Sequence, residues 1–255
     1  MSIEFASLCP HPPIIIPGVG NEKDREKVSK TIESMNRLAA DLKEKEIETV
    51  VIVSSHINHS EKFIIKTDNG FTSSLPGALL TYKGDPELAG KISSLKDAKP
   101  LKGGDLDHGT AVPLHFFKQK KPNIKVVPVG TTSLSIENHF LFGKKLGKLL
   151  SEEKKKIALI ASGDLSHRLT PSAPSGFSEE GEKFDKKFLT LIRGKKITEL
   201  DEKMIEKAAP CGCRSAAILT GSISTKNYNP EIVSYEGPFG VGYAVIEFKL
   251  KNNED

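Results

Sequence analysis

Tryptophan is absent from this 255-residue chain, and Phe and Tyr bring the aromatic share to only 6%. So few flat rings leave little from which to build a stacking platform for nucleic-acid bases. A dominant charge is missing too: 37 Lys and Arg against 33 Asp and Glu leave a net charge of +4. The basic residues are interleaved with acidic ones from Glu22 to Lys45, Glu152 to Lys156 and Glu179 to Lys187, a pattern of helix faces laced with i,i+4 pairs and not of a basic stripe. Nucleic acid is therefore not an expected partner. No apolar run approaches the ~20 residues that span a bilayer, and no basic-plus-apolar leader opens the chain. A cytoplasmic protein with no membrane partner is the expectation. Cys9, Cys211 and Cys213 are too few and too oddly spaced for a disulfide framework, and fit a reducing compartment. Phosphate-binding fingerprints are lacking: Gly176 to Gly181 has the wrong spacing, and Phe239-Gly240-Val241-Gly242 precedes a strand and not a helix. No Ser sits in a nucleophile elbow.

What is present is an alternation of apolar runs and amphipathic segments. Ile3 to Leu8, Thr49 to Ser54, Ile124 to Val129 and Ile157 to Ser162 read as strands. Asn21 to Lys45, Pro86 to Leu95, Ile136 to Leu150, Ser178 to Ile192 and Cys213 to Thr220 read as helices. Val28, Ile32, Met35, Leu38, Ala39 and Leu42 recur at helical spacing, and Asp85 before Pro86 is an N-cap followed by a first-turn proline. Strand runs this continuously apolar predict burial on both faces. The fold class expected is α/β, with a mostly parallel central sheet flanked by helices, in a single domain over 1–255. Phe63 to Thr67 with the Asp68-Asn69-Gly70 turn predicts a hairpin or lid. Ile232 to Tyr235 and Gly242 to Leu250 predict a closing strand pair.

Three histidines follow predicted strands: His11 between prolines, His56 after Ser54-Ser55, and His167 in Gly163-Asp164-Leu165-Ser166-His167. Ligands of open α/β sheets bind beyond the carboxyl ends of the strands, so these imidazoles are candidates for a shared metal or acid–base site. For His11 and His167, a surface residue is the competing reading. Asp164 either shares a hydrogen bond with His167, preparing a general acid or base, or caps the next helix. His59, three residues after His56, reads as an outer or exposed residue. His108 lies in a Gly-rich loop that can reach the cleft, His115 falls among apolar residues, and His139 has no distinguishing context. Cys211 and Cys213 open a helix, where a thiol is acidified and makes a soft ligand. A lone Cys-x-Cys argues against structural zinc.

Taken in order, Pro10-His11-Pro12, Ser55-His56, Asp107-His108-Gly109-Thr110-x-Val112-Pro113-Leu114, Gly163-Asp164-Leu165-Ser166-His167 and Tyr235-Glu236-x-Pro238-Phe239-Gly240-Val241-Gly242-Tyr243 form a set. It resembles the class III extradiol ring-cleavage dioxygenases (catalytic B subunit), and more closely their Memo-like branch called AmmeMemoRadiSam system protein B. The resemblance spans nearly the whole chain and implies an extradiol dioxygenase B-subunit-like fold. It implies Fe(II) on His11 and His56, with Zn or Cu as alternative metals. It implies His167 as the acid–base group, Asp164 as its supporting aspartate and His108 as a further pocket histidine. Where the dioxygenases place a glutamate as third ligand, this chain carries Cys211-Gly212-Cys213. Cys211 is the first choice for that ligand, as in Memo-like proteins, and Glu206 the second. Thiolate in place of carboxylate changes metal preference and potential.

Two functions of different class follow. One is a mononuclear non-haem iron dioxygenase that opens a catechol-type ring, with a small aromatic substrate as partner. The other is a Memo-like metal-binding accessory or interaction protein without ring cleavage. A metal-dependent hydrolase is a third reading, marked by a preference for zinc. Homo-oligomerisation and a separate capping subunit are left open.

Overall fold

Thr49–Ser54 and Ile157–Ser162 are buried at every residue, which a sheet achieves only when both faces are covered. A computed structural model describes residues 2–57, 60–75, 78–103 and 105–251. The elements run β1 (Ile3–Cys9), α1 (Glu22–Glu26), α2 (Ser29–Glu44), β2 (Thr49–Ser54), β3 (Phe63–Lys66), β4 (Gly70–Leu75), β5 (Ala78–Gly84), α3 (Pro86–Ser93), β6 (Ala98–Leu101), α4 (His108–Lys120) and β7 (Lys125–Gly130). They continue with α5 (Ile136–Ser151), β8 (Ile157–Ser162), α6 (Glu179–Arg193), α7 (Glu202–Ala208), α8 (Cys213–Ser222), β9 (Tyr228–Glu236) and β10 (Tyr243–Leu250). The main path of the sheet is β4-β5-β7-β2-β8-β1-β10-β9. Its five central strands, from β5 to β1, are mutually parallel. This is the α/β architecture, mostly parallel and flanked by helices, that the alternating sequence predicts.

The period-2 side-chain alternation of strands divides the core in two. Val51, Val53, Leu159 and Ala161 point to the layer formed by α5, α6 and α8, with Phe142, Leu146, Phe184 and Leu219 among its members. Val50, Ile52, Ala158 and Ile160 point to the layer of α2 and α4, with Met35, Leu38, Leu42 and Phe117. Each of these larger side chains contributes roughly 1.5–3 kcal/mol by leaving water. No described helix is long and apolar enough to cross a membrane.

The elements depart from the sequence reading in specific places. The single helix expected over Asn21 to Lys45 is broken into α1 and α2 at Lys27 and Val28. Val28 is fully buried there, and the new helix start is capped from far away: Glu236 Oε1 accepts both the N–H and the hydroxyl of Thr31, at 2.8 and 2.6 Å. The Asp68-Asn69-Gly70 turn does not close a hairpin with Phe63 to Thr67. β3 instead pairs with β6 and β7, and the hairpin is β4 with β5. The turn's polar groups are spent outward, Asp68 Oδ1 accepting from Gly103 N and the Asn69 carbonyl accepting from Gly84 N. α4, α7 and β6 carried no clear sequence signal; α4 holds Pro113 in its interior.

α5 and α8 cross at backbone contact. A Cβ on Gly147 would stand 2.1 Å from the Ser222 carbonyl oxygen. Gly147→Ala should force the helices apart and cost about 1–3 kcal/mol, read by urea unfolding. Gly90→Ala, on α3 with nothing within 4 Å of its Cβ, should instead stabilise by up to about 1 kcal/mol. Equal effects at the two positions would refute this packing.

Candidate metal centre at the carboxyl edge of the sheet

β2, β8 and β1 are consecutive in the sheet and parallel, so the loops that follow them leave on the same side. That adjacency brings His56, Asp164 with His167, and His11 together. α4 adds His108, and the turn before α8 adds Cys211. His11 is 2% exposed, Cys211 is half-buried, and His56 and His108 are open to solvent. His11 Nε2 lies 3.1 Å from His56 Nε2 and 3.4 Å from Cys211 Sγ. The His11, His56 and His108 rings have centroids 4.3 to 5.3 Å apart. Two donor sets of metal-binding size share His11: His11, His56 and His108, and His11, Asp164 and Cys211, with the ligand atoms of each set within 4.8 Å of one another.

Hydroxyls that close the strands fix the geometry. Ser162 Oγ donates its proton to the Gly109 carbonyl, leaving a lone pair to accept from His11 Nδ1–H at 2.9 Å. His11 therefore carries its proton on Nδ1 and presents a bare Nε2 to the cluster. Ser54 Oγ donates to Asp107 Oδ1 at 2.8 Å and accepts the His56 N–H at 3.2 Å. Asp107 in turn caps α4 through Thr110 N at 3.0 Å, so one carboxylate steadies the turns of both His56 and His108. A Cβ on Gly109 would meet Ser54 Oγ at 2.6 Å and the His56 ring at 2.9 Å.

Asp164 neither caps a helix nor bonds the His167 ring. Its Oδ1 accepts the His11 N–H at 2.9 Å, and its own N–H donates to Cys211 Sγ at 3.1 Å. Its carbonyl accepts Gly212 N at 2.8 Å and Cys211 N at 3.2 Å. Gly163 and Gly212 make this approach possible, since a Cβ on Gly163 would lie 2.1 Å from Gly212 Cα. His167 Nδ1–H donates to the Ala209 carbonyl at 2.8 Å, which leaves Nε2 as its free lone pair. The alternative third ligand, Glu206, is exposed on α7 and belongs to neither donor set.

The remaining histidines separate from the site. His139 is fully buried, with Nδ1 on the Ser135 carbonyl at 2.8 Å and Nε2 accepting Thr132 N at 3.1 Å; it is a satisfied core residue. His115 is half-buried on α4 beside Gln119. His59 lies outside the described residues. The sequence reading missed Ser54, Ser162 and Asp107 as orienting groups. A serine closing an apolar strand just before a His or Asp turn was the available signal for the first two.

Burial, reinforced by His108, pushes His11 down to about 3, and the partial burial of the His56 ring, reinforced by His11 and His108, pushes His56 down to about 4. Both imidazoles are neutral throughout the physiological range. Burial raises Asp164 to about 6. Burial and the nearby Asp164 carboxylate hold the Cys211 thiol well above its ordinary value. In the metal-free protein the bare His11 Nε2 takes its proton contact from His56 Nε2–H or from the Cys211 thiol. A cation on His11, His56 and Cys211 would replace those protons, and a soft-plus-nitrogen donor set of this kind suits Zn, Cu or Fe.

Over residues 5–246 the chain matches the family described as the catalytic LigB subunit of aromatic ring-opening dioxygenase. The chain belongs to this LigB family. It is 32% identical over 277 residues to protein CA_C1420 of Clostridium acetobutylicum, an alignment covering all of this chain and 59% of that protein. The chain thus spans about three-fifths of the length of that relative. It is 22% identical over 233 residues to 3,4-dihydroxyphenylacetate 2,3-dioxygenase of Escherichia coli, covering 80% of this chain and 83% of the enzyme. The crystal structure of the uncharacterized protein JW3007 from Escherichia coli K12 superposes with a TM-score of 0.68 at 16% identity, over 96% of this chain and 99% of that one. That structure shares the LigB-type fold.

Metal uptake should be proton-coupled. At pH 8, loading should release about one proton per ion from the Cys211 thiol, so affinity rises about tenfold per pH unit, and Cys211→Ala should abolish the release. Titration in weak buffer measures it; no proton release from the unaltered chain would remove Cys211 as a ligand.

Proposed function

We propose that this LigB-family chain is a mononuclear non-haem metal protein of the extradiol type, holding Fe(II) on His11, His56 and Cys211 and acting on a catechol-type aromatic ring with O₂. The observation that carries the reading is the meeting of His11 Nε2 with His56 Nε2 at 3.1 Å and Cys211 Sγ at 3.4 Å, three donors from three segments at the carboxyl edge. Bound there, the ion supplies Lewis acidity and a template that aligns catechol and oxygen. The 22% identity to a dihydroxyphenylacetate dioxygenase supports the substrate class. The chain's own residues supply the proton handling. His167, with Nδ1–H committed to the Ala209 carbonyl, offers Nε2 to take a catechol hydroxyl proton. Asp164 holds the His11 backbone and sets a negative charge near His167. His108, exposed at the mouth, stands where it can polarise a bound substrate or oxygen.

A second reading is favoured by one observation: the donor at the third position is a half-buried thiol, while Glu206, the alternative that the sequence offers, is exposed. On that reading the chain is a Memo-like metal-binding accessory protein that does not cleave rings.

Protein purified without oxygen and reloaded with Fe(II) should bind about one ion per chain and consume oxygen with a catechol. His11→Ala and His56→Ala should lose the metal while remaining folded. His167→Ala should keep the metal and lose about 10²–10⁴-fold in turnover. Stoichiometric iron without substrate-dependent uptake would replace the first reading by the second. Full metal content in both ligand variants would overturn both.

A further inference from the structure

The loop that carries His167 is anchored by a buried carboxylate whose two partners are neutral. Asp185, on α6, is 1% exposed. Its Oδ1 accepts the Ser166 N–H at 2.8 Å, and its Oδ2 accepts the Tyr235 O–H at 2.7 Å. Burial raises its carboxyl to about 6, so the fold bears a desolvation cost at this position. Room for the carboxylate comes from Gly242, where a Cβ would stand 2.1 Å from Oδ2.

Every other polar group of Ser166 is committed as well. Its carbonyl accepts Gly242 N at 2.9 Å, its hydroxyl donates to the Ala208 carbonyl at 3.1 Å, and the hydroxyl oxygen accepts Arg168 N at 3.1 Å. The next residue, His167, donates its N–H to the Ala208 carbonyl at 3.0 Å and its Nδ1–H to the Ala209 carbonyl at 2.8 Å. Ala209 is itself held in the left-handed region, at φ 51°, which a non-glycine residue keeps only when its surroundings enforce it. The imidazole tautomer thus depends on the relative placement of two backbone segments, Ser166 to His167 and Ala208 to Ala209. Asp185 is the charged side chain that fixes the first of them.

We propose that Asp185, held by Tyr235, is a positioning residue that acts through the Ser166 N–H to fix the ring orientation and the Nδ1–H tautomer of His167. A neutral imidazole released from such a bond prefers its proton on Nε2, which would occupy the position that the Nδ1–H tautomer leaves as a free lone pair. The functional weight of the proposal rests on reading His167 as the acid–base group; the geometric claim needs no metal.

The test is side-chain ¹⁵N NMR on the full chain before metal addition, at a pH where imidazoles are neutral, with His167→Gln to assign the resonance. The unaltered chain should show His167 as the Nδ1–H tautomer. Asp185→Ala should move most of the population to Nε2–H. Asp185→Asn should retain Nδ1–H, since its Oδ1 still accepts from Ser166 and its amide can donate to the Tyr235 oxygen. If Asp185→Ala does not fold, Asp185→Ser, too short to reach both partners, takes its place. A merely structural Asp185 would lower the melting temperature in these variants with the tautomer unchanged, and that result overturns the proposal, as does failure of Asp185→Asn to keep Nδ1–H. If ring cleavage is confirmed, Asp185→Ala should lower kcat about 10- to 100-fold with KM held. Absence of metal or of turnover would strike the functional reading and leave the tautomer result standing.

Discussion

The site depends on one peptide unit, that of Asp164. Its N–H reaches Cys211 Sγ, its carbonyl receives the amides of Cys211 and Gly212, and its side chain holds the His11 amide. One residue therefore sets the spacing between a histidine near the start of the chain and a cysteine 200 residues later. The approach requires two glycines face to face, Gly163 at the end of β8 and Gly212 before α8, because a side chain on Gly163 would occupy the other's backbone. The sheet order makes this contact available: with β8 between β2 and β1, the turn carrying Asp164 emerges between those carrying His56 and His11.

Around that hub the donors are oriented by neutral hydroxyls and carbonyls more than by charges. Ser162 fixes the His11 tautomer, Ser54 ties the His56 turn to the Asp107 cap of α4, and the end of α7 fixes His167. His11 Nε2 meets His56 Nε2 and Cys211 Sγ at 3.1 and 3.4 Å, with His11 buried, Cys211 half-buried and His56 open to solvent. A cation held there would take up the lone pairs of His11, His56 and Cys211, with His108 exposed beside them.

Much of this was legible in the chain itself. β2 and β8 declare themselves because, after Thr49 of β2, every residue is apolar or closes the run with serine, and the histidines follow at the strand ends where ligands bind. The core assignment of α2 was equally readable from its helical spacing. What failed to show is what tertiary contacts decide. The helix break at Val28 is set by Glu236, more than 200 residues away; the Asp68 turn serves Gly103 and Gly84 and not its own neighbours. The Asp164–His167 pair looks local in sequence, yet each residue bonds across the fold, Asp164 to His11 and His167 to Ala209. Asp185 offered no motif at all, being one acidic residue in a charged helix.

The central claim is that a metal sits on two imidazoles and the Cys211 thiolate. X-ray absorption on the zinc-loaded chain tests it most directly. The account predicts a sulfur shell at about 2.3 Å together with nitrogen at about 2.0–2.1 Å, and loss of the sulfur shell in Cys211→Ser. A first shell of nitrogen and oxygen alone in the unaltered chain would contradict it.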